Sequence, residues 1–260
     1  MAVIPSPKPH VFVIPGAYHP GSVFNLFIQS LEAAGFSAET TTNRSAGNAG
    51  ITVQDDVAHV QSLLIPQIDA GKDIVVVAHS YGGVVGSGVI AGLDKRGREA
   101  RGLKGGVVGI ICIAALMTLP DKSLFEMRGG EGMWSPWVDT SKLEAEGVTY
   151  TKNEIETFYH DVSPELAKTI IPTLTSQSAM SVQSRPAAVG WLDNVYDGRR
   201  AYIRCLQDGA LPLAAQDGML ALSGVEWIIK SLEASHSPYL SMPDELTSVV
   251  AEIIAEFAKS

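Results

Sequence analysis

Ser80 stands in Val77-Ala78-His79-Ser80-Tyr81-Gly82-Gly83, between an apolar run and a glycine-rich stretch. A serine on the sharp turn from a strand into a helix has its hydroxyl held exposed, and small residues two before and two after it let the two elements approach closely. Those neighbours are Ala78 and Gly82. The pattern more often has glycine at the first place, but alanine is small enough to keep the packing. A serine hydroxyl is a poor nucleophile until a base takes its proton and a third group holds that base in the right tautomer. The chemistry on offer is acyl transfer, provided the chain supplies both partners.

His236 is the candidate base. It lies in Ser235-His236-Ser237-Pro238, a polar loop between the last apolar run and the final helical pattern. His79 adjoins the serine but points away along the strand exit and reads as a packed imidazole. His59 falls on a helix, His160 among short polar helices, and His10 at the start of a strand. Asp208, in Gln207-Asp208-Gly209-Ala210-Leu211-Pro212, directly follows another apolar run and is the candidate third group. Asp121 stands in a similar place after a different strand and remains an alternative, whereas Asp217 falls on the helix that follows Asp208. The oxyanion formed when a serine attacks a carbonyl needs amide donors, each worth roughly 3 to 4 kcal/mol. The amide of Tyr81, next to the nucleophile, offers one. The turn Pro15-Gly16-Ala17-Tyr18 offers a second, at Ala17, although such a turn also serves simply to end a strand.

These residues need a scaffold that brings strand ends together. His10 to Ile14, Phe36 to Thr41, Asp73 to Ala78, Val107 to Ala114, Ala201 to Leu206 and Val225 to Ser231 read as strands, most of them apolar throughout, which suits strands buried on both faces. Helical spacing recurs between them. Phe24, Phe27, Ile28 and Leu31 mark one helix that ends at Gly35. Thr52 and Asp55 form a capping box for a second that stops near Gly71, and Ser241 with Asp244 predicts a cap for the terminal helix. Strands alternating with helices predict an α/β fold of three α/β/α layers, with a mostly parallel sheet of about six strands and ligands bound beyond the strands' C-terminal ends. From about Pro120 to Gly190 the rhythm breaks. That stretch has no clear buried strand but holds Trp134, Trp137, Phe158 and Tyr159, and it predicts a small, mainly helical cap inserted into a single domain spanning 1–260.

The chain's 260 residues suffice for one such domain with its insertion. With 28 acidic against 19 basic residues the formal charge is -9, so nucleic acid and anionic membrane surfaces are not expected partners. No apolar run reaches the roughly 18 residues of a spanning helix, and Met1 to His10 lacks a secretory pattern. A cytoplasmic protein is expected, with a homodimer left open. Cys112 and Cys205 each lie in an apolar strand and read as packed thiols rather than a disulfide or metal pair.

Ile14-Pro15-Gly16-Ala17-Tyr18-His19, Ala78-His79-Ser80-Tyr81-Gly82-Gly83, Gln207-Asp208-Gly209-Ala210-Leu211-Pro212 and Ser235-His236-Ser237-Pro238 together resemble the α/β-hydrolase superfamily, over nearly the whole chain. The compact branch of plant methylesterases and hydroxynitrile lyases, with bacterial and fungal relatives, is the most similar. Glu156 to Asp161 and Gln216 to Met219 share in the likeness. The resemblance implies Ser80, Asp208 and His236 as the triad, in the family's chain order. Lyases of that branch carry a threonine in the first turn and a lysine just after the histidine. Here those places hold Gly16 and Ser237, which favours acyl transfer over cyanide elimination. One departure is Pro15-Gly16 where the family usually has His-Gly.

The expectation is therefore a hydrolase of a small, apolar ester or lactone that needs no metal or organic cofactor, with Tyr18, Trp134 and Trp137 against the substrate. Carbon-carbon bond cleavage or cyclisation of a polyketide-like substrate is a second reading with the same triad. A non-catalytic ligand-binding protein on the same fold is a third.

Overall fold

The computed structural model describes residues 8–130 and 134–259. Residues 1–7, most of the stretch read above for a leader, lie outside the described residues.

Strands β1 (His10–Ile14), β2 (Ala38–Thr40), β3 (Asp73–His79) and β4 (Gly106–Ile113) form one half of a six-stranded sheet. Further along the chain, β5 (Val138–Asp139), β6 (Val148–Thr151) and β7 (Gln177–Ser178) make a separate antiparallel sheet, and β8 (Arg200–Cys205) and β9 (Ile228–Leu232) complete the first one. The large sheet runs β2-β1-β3-β4-β8-β9 and every pairing in it is parallel.

Because side chains alternate along a strand, the apolar runs feed two separate cores. Val11, Val13, Val75, Val77, Ile111 and Ile113 face α1 (Asn25–Ala33) and the C-terminal helix Pro243–Phe257. Phe12, Ile14, Ile74 and Val76 face α2 (Val53–Asp69) and α3 (Gly82–Ile90). This is the expected three-layer α/β fold, and it explains why β1 and β3 carry almost no polar residues.

Helix α2 starts at the predicted capping box: Thr52 Oγ1 accepts from the Asp55 amide at 3.3 Å, and the Asp55 carboxylate accepts from the Thr52 amide at 2.9 Å. The cap predicted for the terminal helix is corrected. That helix begins at Pro243, whose fixed φ suits the first helical position, and Met242 precedes it. Ser241 instead closes the short helix Pro238–Ser241, and Asp244 accepts a hydrogen bond from Ser30 Oγ at 2.6 Å.

Between β4 and β8 lie short helices and the small sheet, whose strands of two to four residues are too short to show alternation in sequence. Gln177 of β7 also bridges Ala46, which ties this segment to the loop beyond β2. No helix among the described residues is long and apolar enough to cross a membrane.

Candidate active site

The register of the large sheet decides which loops meet. Ile14 pairs with Ala78, His79 with Ile113, and Cys205 with Leu232, so the turn at 15–19, Ser80, Asp208 and His236 all emerge at the C-terminal edge of the sheet, after β1, β3, β8 and β9.

Ser80 has a φ of 52°, in the left-handed region that few residues other than glycine adopt. The surroundings over-determine this conformation. Its amide donates to the Ile113 carbonyl at 3.2 Å, and its carbonyl accepts from the amides of Gly83 at 2.9 Å and Leu116 at 2.8 Å. A Cβ on Gly82 would lie 2.4 Å from the Ile14 carbonyl oxygen, so helix α3 reaches β1 only because position 82 has no side chain. Ala78 packs under Gly86, where a Cβ would lie 3.1 Å from its methyl group. Alanine at this place of the pentapeptide is accommodated by a glycine one turn further along the helix.

His236 and Asp208 meet directly. The Asp208 carboxylate is buried; its Oδ1 accepts the amides of Ala210 at 2.8 Å and Leu211 at 2.7 Å, and its Oδ2 lies 2.7 Å from His236 Nδ1. A carboxylate can only accept, so Nδ1 carries the proton and Nε2 is the free acceptor. The loop before the imidazole is held from the segment between β4 and β8: the Ser235 amide donates to Asp161 Oδ2 at 2.8 Å and Ser235 Oγ to the Phe158 carbonyl at 2.8 Å.

The first turn is fixed without the family's usual histidine at Pro15. Asn43 Nδ2 donates to the Pro15 carbonyl at 2.9 Å, and His19 Nδ1 donates to the Ala17 carbonyl at 2.6 Å. Tyr18, at a φ of 68°, gives its amide to Gln177 Oε1 at 3.1 Å. That amide is spent. The amides of Ala17 and Tyr81 have no hydrogen-bond acceptor among the described residues.

A buried polar relay joins the two turns that carry these amides. Tyr81 Oη donates to Asp56 Oδ2 at 2.7 Å, and the same carboxyl accepts from Ser45 Oγ at 2.5 Å and from the Ser45 amide at 2.9 Å. Gln177 Nε2 donates to Ser45 Oγ at 2.8 Å and to Ser181 Oγ at 2.7 Å, while its Oε1 holds Tyr18. Burial pushes the Asp56 carboxyl up and these donors oppose the shift; burial also pushes the Tyr81 phenol well up, so it remains a donor.

Ser80 and His236 line one pocket of about 630 Å³, its solvent-filled mouth included. Ala17, Tyr18, Tyr81, Trp134 and Trp137 line it too, so every residue picked from the sequence reaches this pocket except Asp208, which stands behind His236. Burial raises the Tyr18 phenol to about 12, and its Oη pairs with Thr149 Oγ1 at 2.9 Å. Asp121, the alternative acid, sits instead on an exposed turn with a φ of 57°. Asp217 pairs with Arg204 on the helix Leu213–Ser223, His59 with Thr41, and His10 with Ser37. His160 is exposed.

The sequence reading assigned no role to His19, yet it is buried beside the site. Its Nε2 lies 2.7 Å from the Tyr159 hydroxyl, and burial lowers its pKa to about 4, so it is neutral at pH 7. His79 is likewise buried and neutral, donating from Nε2 to the His236 carbonyl at 2.8 Å. Asp56, Gln177 and Asp161 were missed as well. Asp56 left a signal: it shares a helix face with Val53, Val60, Leu64 and Ile68, a carboxyl in the middle of a core stripe.

Residues 11–249 match the sequence pattern of the alpha/beta hydrolase family, and the chain belongs to that family. It is 26% identical over 256 residues to Probable hydrolase R7 of Phoma sp., covering 95% of this chain and 98% of that protein. It is 25% identical over 249 residues to Methylesterase 7 of Arabidopsis thaliana, covering 88% of this chain and 89% of that protein. The crystal structure of a pyrethroid hydrolase from Sphingobium faniae shares the fold, with a TM-score of 0.75 at 20% identity over 97% of this chain and 99% of that one. The chain is thus an α/β hydrolase with esterase-type relatives.

Proposed function

We propose that the protein hydrolyses a small ester or lactone with a largely apolar body, through an acyl-enzyme on Ser80. The observation that carries this reading is the 2.7 Å contact of His236 Nδ1 with Asp208, which leaves Nε2 as the acceptor of an imidazole lining the same pocket as Ser80. His236 Nε2 takes the Ser80 proton as Oγ attacks the carbonyl carbon, and the amides of Ala17 and Tyr81 receive the oxyanion. The imidazolium then protonates the departing alkoxide. Water, deprotonated by the same nitrogen, attacks the acyl-enzyme and releases the acid. Asp208 holds the tautomer and offsets the imidazolium charge. Tyr18, Trp134 and Trp137 supply apolar walls, and residues from about 120 to 190 act as the cap of a single domain. Relatives in sequence support ester hydrolysis, because the Arabidopsis methylesterase and a pyrethroid hydrolase of Sphingobium wenxiniae are among them.

Labelling with a fluorophosphonate, followed by peptide mass spectrometry, should place the adduct on Ser80. Ser80→Ala should lose hydrolysis of a panel of short phenyl and naphthyl esters. A label elsewhere, or a variant as fast as the parent, would reject the mechanism. Simple esters left untouched by the parent would point to carbon-carbon bond chemistry instead.

A further inference from the structure

The pocket contains a charge that an apolar ester does not explain. Arg128 follows the short helix Leu124–Met127 and lines the pocket together with Ser80 and His236. Among the described residues that line it, Arg128 is the one permanent cation. Its Nη1 donates to Ser135 Oγ at 2.7 Å, and no described carboxylate forms an ion pair with it. The acid on its own helix, Glu126, is taken by Arg185 and by the Ser123 amide. Several other cations among the described residues are paired: Lys95 with Asp73, Arg98 with Asp69, Arg200 with Asp197, Arg204 with Asp217.

A guanidinium offers five N–H donors in a planar fork that matches a carboxylate. Here one is used by Ser135. Burial lowers the Arg128 pKa, so the charge is partly stripped of water, and the group stands close enough to Tyr18 to oppose the rise of that phenol. A partly desolvated charge with no counter-ion among the described residues is costly, and the cost is recovered when an anion enters beside it.

We propose that Arg128 determines specificity by receiving a carboxylate of the substrate, so that esters bearing a free carboxylate are preferred over neutral ones of the same shape. The inference rests on the ester-hydrolase reading for its turnover assay and narrows the substrate class. The carboxylate is a spectator: hydrolysis consumes one ester and one water and yields one acid and one alcohol, while the second carboxylate stays on the guanidinium.

The test compares mono-1-naphthyl adipate with 1-naphthyl hexanoate, which share a six-carbon acyl chain. In Arg128→Gln the ratio of kcat/KM for adipate over hexanoate should fall about tenfold, equivalent to about 1.4 kcal/mol, chiefly through KM. Arg128→Lys should recover part of it. Glu131 lies outside the described residues, so the same fall is expected in a Glu131→Gln background. A ratio unchanged within twofold in both backgrounds overturns the proposal.

Calorimetric titration of Ser80→Ala with N-(1-naphthyl)adipamic acid, which is not hydrolysed, separates this inference from the mechanism. Binding about tenfold weaker once Arg128→Gln is added supports the carboxylate site even if Ser80→Ala still turns over esters. Unaltered binding, together with loss of turnover in Ser80→Ala, rejects the carboxylate site and keeps the mechanism.

Discussion

The side of the pocket that holds the proposed base and the side that holds the proposed oxyanion donors are kept in place by different kinds of contact. On the base side, Asp208 and His236 touch at 2.7 Å, each on a loop one short step from a strand end. On the oxyanion side, the turns carrying the Ala17 and Tyr81 amides are linked through Asp56, Ser45 and Gln177, the last of which comes from the small antiparallel sheet. A direct bond places two groups wherever the sheet places their loops. A relay places them only when a remote segment docks correctly; residues 120–190 also brace the base side, through Asp161 and Phe158 at Ser235, but there they support a contact that is itself direct, whereas on the other side Gln177 is a link of the relay.

The largest expected effect lies on the direct side. Asp208→Asn keeps the shape but offers His236 the wrong tautomer, and kcat should fall by about 10³ to 10⁴. Unchanged circular dichroism with lost steady-state turnover is the expected pair of results; an active variant would remove Asp208 from the mechanism.

Gln177→Ala breaks the relay without touching the pocket. It leaves the Tyr18 amide without its acceptor and Ser45 without a donor in a buried place, which should cost about 1 to 3 kcal/mol of stability. Because losing an oxyanion donor outright costs about 10² to 10³ in kcat, displacing one should cost roughly tenfold. Denaturant titration and kinetics read the two effects separately. A fall in stability with kcat preserved would make the relay purely structural and erase the contrast between the two sides.

The last effect leaves turnover aside and concerns the pH dependence of stability. The folded state keeps His19 neutral down to about 4, against an ordinary value of 6.5 in the unfolded chain. Between those values the unfolded state binds more protons, so stability is present above about pH 6.5 and is lost as pH falls towards 4, by up to about 3 kcal/mol from this group. The lowered pKa of His79 acts with the same sign. His19→Asn retains a short donor next to the Ala17 carbonyl but does not titrate. The drop in urea midpoint between pH 7 and pH 5 should therefore be smaller in this variant than in the parent, and an equal drop would place the proton uptake elsewhere.

Much of the scaffold was legible because its signals are local. An apolar run buried on both faces announces a strand over five to eight residues, as at β1, β3 and β4. Ser80, Asp208 and His236 were then visible as polar residues just past such runs. The Ser241 cap failed because Pro243, two residues on, sets the helix start more strongly than a serine can. The strands β5 to β7 gave no periodicity to read, being at most four residues long.

The chain by itself determined the fold, the order of the three candidate reactive residues and the small-residue packing at Ser80, since each depends on neighbours in sequence or on the repeat of apolar positions. Only the tertiary structure decided how the Ala17 turn is braced, that Asp56 reaches Tyr81, and that Arg128 enters the pocket. Gln177 lies 132 residues from Ser45, and hydrogen bonds across such a separation leave no period and no spacing in the sequence. They exist because docking brings polar groups into one buried place, where each must find a partner.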